Sequence, residues 1–238
     1  MHVGAAQLQD IQGDVPAALR VIQEYMERAD EQGIDVLCFP ECFLQGYTLD
    51  IAETKSRAFD LSSSDFKPIL NELKPYDVTI VLGLIEKDGD SFFNCAAVIR
   101  RGKVLGKYRK VHLFEENFQP GEAYPIFSLL DDIFGVNICY DARFSDGAAS
   151  LAEQGAKIIF YPLNNRLAAE KAAMYRDKHI VNLIERARQT GCWVVSADVV
   201  AEDEDYTGYG CTAIVDPTGK VVSRVEERTA GMATFEIL

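Results

Sequence analysis

The sequence predicts an α/β protein built on a mixed sheet, and three observations carry that reading. Short apolar runs of buried-strand length recur from residues 2–9 to residues 232–237. Stretches with the 3.6-residue apolar period of a helix lie between several of them. Other runs are joined by turns too short for a crossover, at Asp88-Gly89-Asp90 and Arg101-Gly102, which requires antiparallel hairpins. Two such mixed sheets packed face to face, with helices outside, would give a four-layer α-β-β-α sandwich.

The elements follow in order. Residues 2–9 read as a strand apolar enough to be buried on both faces. Asp14 suits a helix N-cap, with Pro16 in the first turn. Ala18, Leu19, Ile22, Tyr25, Met26 and Ala29 form that helix's apolar stripe, and Gly33 ends it. Residues 34–39 are a second buried strand that stops at Pro40-Glu41. Residues 42–60 read as irregular or weakly helical, and 65–73 as a helix ended by Pro75. Strands at 78–86, 92–100 and 103–108 lead into Arg109-Lys110-Val111-His112. Residues 115–124 are polar, with glycine and proline, and predict a loop. A strand with Ile133, Val136 and Ile138 breaks at Cys139. A short helix after Gly147 is closed by Gly155. Residues 157–161 form a strand broken by Pro162-Leu163-Asn164-Asn165-Arg166. Residues 168–189 are the longest helix and 192–198 a strand. Residues 202–205 are an acidic loop, 210–216 and 220–225 a hairpin about Pro217-Thr218-Gly219, and 232–237 the last strand. No linker, low-complexity run or repeat divides the chain, so residues 1–238 read as one domain.

Composition narrows the function. Hydrophobic residues at 48% and charged residues at 26% are ordinary for a globular protein. A net charge of -13 argues against a nucleic-acid partner held by phosphate neutralisation, and against an anionic membrane surface. No run reaches the roughly 20 apolar residues of a membrane span. Six cysteines, most of them inside apolar runs, do not form a disulfide framework, and Cys38 and Cys42 have no second pair to make a zinc site. A reducing cytoplasm is the expected home.

Three strand ends carry reactive groups. Glu41 and Cys139 each follow a buried strand, where open α/β folds place ligands, and Lys110 follows another. A thiol attacks an acyl carbon as thiolate and needs a base or cation beside it. Of the three histidines, His2, His112 and His179, none stands at an obvious strand end, though His112 lies two residues from Lys110. Glu41 can take the thiol proton, and Lys110 can stabilise an oxyanion. Glu116 could orient Lys110 or help position a water. Each also has a plainer reading: Cys139 as a small buried hydrophobe, Glu41 in a turn, Lys110 on the surface, Glu116 in a loop.

Together these segments resemble the nitrilase superfamily of carbon–nitrogen hydrolases over nearly the whole chain. Phe39-Pro40-Glu41 through Tyr47 is similar to the block with the glutamate base, and Tyr108-Arg109-Lys110 to the lysine block. Glu116 through Gly121 is similar to the block of the second glutamate, and Cys139 through Phe144 to the nucleophile block. Glu185 through Arg188 and Gly208 through Gly219 resemble the C-terminal blocks. The resemblance implies the α-β-β-α sandwich, paired into an eight-layer homodimer or a higher even oligomer. It implies a catalytic Glu41, Lys110 and Cys139 with Glu116 as accessory, no cofactor and no metal. The reaction would cleave a small-molecule amide through a thioester. Nitriles and N-carbamoyl compounds are alternatives, as are a silent binding or assembly protein and a redox-active cysteine protein.

Tyr47, Arg143, Asn165 and Arg166 are the candidates for substrate contact. An arginine placed like Arg143 occurs in branches that cleave ω-amides of dicarboxylic acids, where it can fork onto a carboxylate. The alternative for Arg143 is an internal ion pair with Asp141 or Asp146. Ser145-Asp146 stands where the family often has Pro-Glu, and Leu163-Asn164-Asn165-Arg166 where it often carries a pocket aromatic.

Overall fold

The computed structural model describes residues 1–203 and 205–237. Part of the expected acidic loop, Glu204, lies outside the described residues. The first sheet begins with β1 (His2–Gln9), joined through α1 (Val15–Glu31) to β2 (Val36–Cys38). Asp14 accepts the Ala17 N–H and caps α1, and Ala18, Ile22, Tyr25, Met26 and Ala29 are its buried stripe. Two short helices follow, α2 (Ile51–Arg57), capped by Asp50, and α3 (Lys67–Leu73). Then come β3 (Thr79–Asp88), β4 (Ser91–Arg100) and β5 (Lys103–Arg109), a meander of two hairpins.

The second sheet takes over with β6 (Ile126–Leu129) and β7 (Asp132–Val136), followed by a 3-10 turn at Cys139–Arg143 and α4 (Asp146–Glu153). Next are β8 (Ile158–Pro162), the two-residue β9 (Leu167–Ala168), α5 (Ala169–Thr190) and β10 (Trp193–Ala197). The chain ends with β11 (Val199–Glu202), β12 (Tyr206–Tyr209), β13 (Ala213–Val215), β14 (Val221–Arg224) and β15 (Gly231–Glu236). Among the described residues one sheet has nine strands in the order β5-β4-β3-β2-β1-β11-β12-β9, with β15 on β1. The other has six, β14-β13-β10-β8-β7-β6. Both are mixed: β1, β2 and β3 are parallel neighbours, as are β7, β8 and β10, and hairpins flank them.

Period-two alternation assigns the side chains to three cores. Ala6, Leu37, Ile80, Leu82 and Ala97 pack against Ile22, Met26 and Leu73 of α1 and α3. Val3, Val36, Cys38, Val81 and Val98 face Phe134, Val136, Phe160 and Val195 of the other sheet. Ile159, Tyr161 and Val194 pack against Leu151 and Leu183 of α4 and α5. Helices therefore cover the outer face of each sheet, and the inner faces meet. The two parallel trios place several strand ends, with the residues that follow them, around one opening.

Candidate active site

Glu41 lies three residues past β2, and its N–H donates to the Leu163 carbonyl beyond β8 at 3.0 Å, a stitch from one sheet to the other. Gly83 of β3 lies directly under this turn. A Cβ there would meet the Pro40 carbonyl oxygen at 2.1 Å and the Glu41 Cα at 2.8 Å, so only glycine lets the turn sit so close. Lys110 begins where β5 stops. Its N–H donates to the Asn94 carbonyl at 2.9 Å, and the Gly121 N–H donates to its own carbonyl at 2.8 Å.

The Lys110 ammonium is fully buried and donates to Glu41 Oε1 at 2.8 Å and to Glu115 Oε1 at 2.7 Å. Asn94 Nδ2 donates to the same Glu41 oxygen at 2.7 Å, and the Tyr47 hydroxyl donates to Glu115 Oε1 at 3.0 Å. The expected partner Glu116 is exposed and makes no contact with Lys110; the carboxylate there is Glu115, one residue earlier. The reason is local. Glu115 Oε2 also accepts the Phe114 N–H, which turns this carboxylate inward and its neighbour out. Asn94 gave one sequence signal: a single amide inside the apolar run of β4.

Charge and burial set the proton positions. Burial pulls the Lys110 ammonium down, but the Glu41 and Glu115 carboxylates outweigh it and hold the amine protonated far above its usual range. Burial pushes Glu41 up, with Lys110 opposing and Glu115 adding to the rise. Glu115 is held below its usual range because Lys110 outweighs its burial. Burial first, and then the Glu41 charge, push the Cys139 thiol well up, with Lys110 and the Asn164 backbone N–H easing it. The resting proton therefore belongs on sulfur, beside a carboxylate whose own affinity for a proton is raised.

Cys139 opens the 3-10 turn with φ 42°, in the left-handed region that an L-residue enters only under constraint. Asp141 supplies the constraint. Its Oδ2 accepts the Ile138 N–H at 2.8 Å and the Tyr108 hydroxyl at 2.8 Å, and its Oδ1 accepts the His112 N–H at 2.9 Å. The Cys139 turn and the end of β5 are thus tied to one carboxylate. Cys139 is half-buried, and the other five cysteines are buried. His112 is engaged with Asp146 at 2.9 Å, outside this cluster.

A cavity of about 490 Å³ opens over Glu41 and Cys139. Tyr47, Arg143, Asn165 and Arg166 all line it, together with Tyr175, Lys178, His179 and Asn182 from one face of α5. The four substrate candidates differ in what they have free. The Tyr47 hydroxyl is spent on Glu115. Arg166 is spent on Asp10 at 3.3 Å and Asp203 at 2.9 Å. The Asn165 Nδ2 is spent on Asp198, a fully buried carboxylate that burial pushes up to about 6. Arg143 is exposed and has no carboxylate partner among the described residues: Asp141 is turned to backbone and Tyr108, and Asp146 to His112 and Tyr124. Burial and the Arg143 charge lower the adjacent His179 to about 4 and keep it neutral. Among the described residues no group of three or more His, Cys, Asp or Glu is placed to hold a metal ion, and no helix is long and apolar enough to cross a membrane.

Known proteins resemble this chain in sequence and in fold. A family model described as carbon-nitrogen hydrolase matches residues 2–238. A "Nitrilase" of Pyrococcus abyssi is 30% identical over 226 residues, covering 90% of this chain and 81% of that protein. An omega-amidase, NIT3, of Saccharomyces cerevisiae is 27% identical, with 95% of this chain and 84% of that protein covered. The crystal structure of yeast Nit3 superposes with a TM-score of 0.85 at 26% identity, over 99% of this chain and 89% of that one. An amidase of Nesterenkonia, with acrylamide added at its active site cysteine, shares the fold at a TM-score of 0.86 and 22% identity, over 100% and 93% of the two chains.

Proposed function

Because the chain belongs to the carbon-nitrogen hydrolase family, we propose that it hydrolyses the carbon–nitrogen bond of a linear carboxamide with Cys139 as nucleophile. The observation that supports this reading is the buried Glu41–Lys110–Glu115 cluster beside a constrained cysteine under one cavity.

In the proposed reaction the Glu41 carboxylate takes the thiol proton as sulfur bonds to the acyl carbon, and the carbonyl electrons move onto oxygen. The Lys110 ammonium supplies positive charge to that oxyanion. The proton passes from Glu41 to nitrogen, the C–N bond breaks, and ammonia leaves a thioester. Water then gives a proton to Glu41 and adds to the thioester. Collapse of that adduct releases the carboxylic acid and restores the thiol. Glu115 keeps Lys110 charged and in place.

Arg143, free of an internal carboxylate among the described residues, fits the far carboxylate of an ω-amide of a dicarboxylic acid. Nitrile and N-carbamoyl hydrolysis, or a silent binding role, are the alternatives. Ammonia release from a panel of amides, nitriles and N-carbamoyl compounds tests the reading. Cys139→Ala should fold as wild type and abolish turnover; wild-type activity in that variant sinks the mechanism.

Pairing of two such sandwiches into an eight-layer dimer goes with the proposal. Sedimentation at micromolar concentration should give a dimer or a larger even oligomer, and a 26.5 kDa monomer would remove that part alone.

A further inference from the structure

Asn165 lines the cavity, yet its carboxamide is not free to turn. Asp198, which follows β10, holds both the backbone and the carboxamide of Asn165. Asp198 Oδ1 accepts the Asn165 N–H at 3.0 Å and the Val199 N–H at 2.8 Å, and Oδ2 accepts from Asn165 Nδ2 at 2.7 Å. An ionised carboxylate only accepts, so the half of the carboxamide that faces it must be the NH2. The other half, Asn165 Oδ1, accepts no hydrogen bond among the described residues.

The loop that carries this oxygen is tied to both sheets. The Leu163 N–H donates to the Ala197 carbonyl at 2.8 Å, and the Leu163 carbonyl receives the Glu41 N–H. The Asn164 backbone N–H eases the upward shift of the Cys139 thiol. Asn165 is the next residue, on the same cavity wall as Glu41 and Cys139. A fixed, unpartnered acceptor at this place suits a ligand with an N–H near the reacting carbon.

We propose that Asp198 is a positioning residue that holds the Asn165 carboxamide with its oxygen toward the substrate, where that oxygen accepts an N–H of the scissile carboxamide and favours amides over acyl compounds that lack the donor. The inference rests on the amidase reading above. It assigns to Asn165 a choice between leaving groups, separate from any recognition by Arg143 of the far end of the molecule.

Matched substrates test it: a carboxamide and the methyl ester of the same acid, assayed with purified full-length protein. Asn165→Leu keeps the branched four-atom skeleton and removes the acceptor, together with the Nδ2 bond to Asp198. Its kcat/KM for the amide should fall at least about tenfold while that for the ester changes less than about threefold, the size expected when a site built to pair a donor loses its partner. Asp198→Asn makes a sharper demand. Two backbone N–H groups keep an oxygen at the Oδ1 position, so the new NH2 faces Asn165 and forces its carboxamide to invert. The cavity then meets a donor, and the amide-to-ester ratio should fall again. Should Asp198→Asn fail to fold by its melting curve, Asn165→Leu decides alone. Equal losses on both substrates, or no loss on the amide, would make Asn165 a mere wall and overturn the proposal. A wild type that turns over neither substrate fails the amidase reading and takes this inference with it. Turnover of both with an unmoved ratio in Asn165→Leu overturns only the inference.

Discussion

Glu115 and Glu116 are chain neighbours of the same type with opposite surroundings, and the pair gives an internal control. Glu115→Gln keeps the shape and an acceptor but removes a charge from beside a buried ammonium. Breaking such a pair leaves an uncompensated ion, a loss of about 3–5 kcal/mol when complete; the isosteric change should forfeit at least about 1.4 kcal/mol, or roughly tenfold in kcat. Glu116→Gln, on an exposed carboxylate, should leave kcat unchanged. Steady-state kinetics on the two variants checks the assignment, and the reverse pattern would return the role to Glu116. Periodicity put Glu41, Lys110 and Cys139 at the ends of apolar strands, and the resemblance of their motifs to the carbon–nitrogen hydrolases singled them out as catalytic. The sequence could not choose between adjacent carboxylates, because the choice depends on how a loop turns, and no period records that. The engagement of Tyr47 and Arg166 by Glu115, Asp10 and Asp203 was equally hidden, since those partners come from distant segments.

Among the elements, β3 has an unusual duty, because the Glu41 turn rests on its Gly83. Gly83→Ala would press a methyl group against backbone atoms that cannot step aside, at 2.1 Å from the Pro40 oxygen. Overpacking of this kind costs about 1–3 kcal/mol. The variant should melt lower and also lose activity, because relief comes by moving Glu41 away from Lys110. A variant with wild-type melting and wild-type kcat would show that the turn yields freely. Long elements were legible: β1, α1, the β3–β5 meander and α5 lie close to where apolar period and turn residues put them. The misses are short. The stretch at 42–60, expected to be irregular or weakly helical, holds α2, whose seven residues and Asp50 cap the sequence did not delimit. The hairpin partners β6 and β12, with four residues each, and the two-residue β9 offer too little pattern to separate from loop. Pro162, read as a strand breaker, is the last residue of β8 and pairs with Ala197, where the ladder ends and a missing donor does little harm.

For the molecule as a whole, a mixed sheet was foreseeable from hairpins and crossovers in one chain and its doubling into a sandwich from the family resemblance, whereas the joining of strands from both ends of the sequence was not. β1 pairs with β11 and β15 over about 190 residues or more of intervening chain, and only the folded sheet reveals it. The sandwich also separates charge by depth. Lys110 and its two carboxylates are buried at the strand ends, while Arg143 stands at the exposed mouth. Mobile ions screen the second and scarcely reach the first. Rising ionic strength should therefore lower kcat/KM for a dicarboxylic ω-amide, leave kcat nearly constant, and leave both constants unmoved for an uncharged amide. A kcat that fell in parallel would mean that solvent reaches the cluster. On the proposed reaction the feature amounts to a division of labour between capture and chemistry: the protein would meet its substrate through the electrolyte, and then carry out the proton transfers in a compartment whose electrical conditions the surrounding solution does not set.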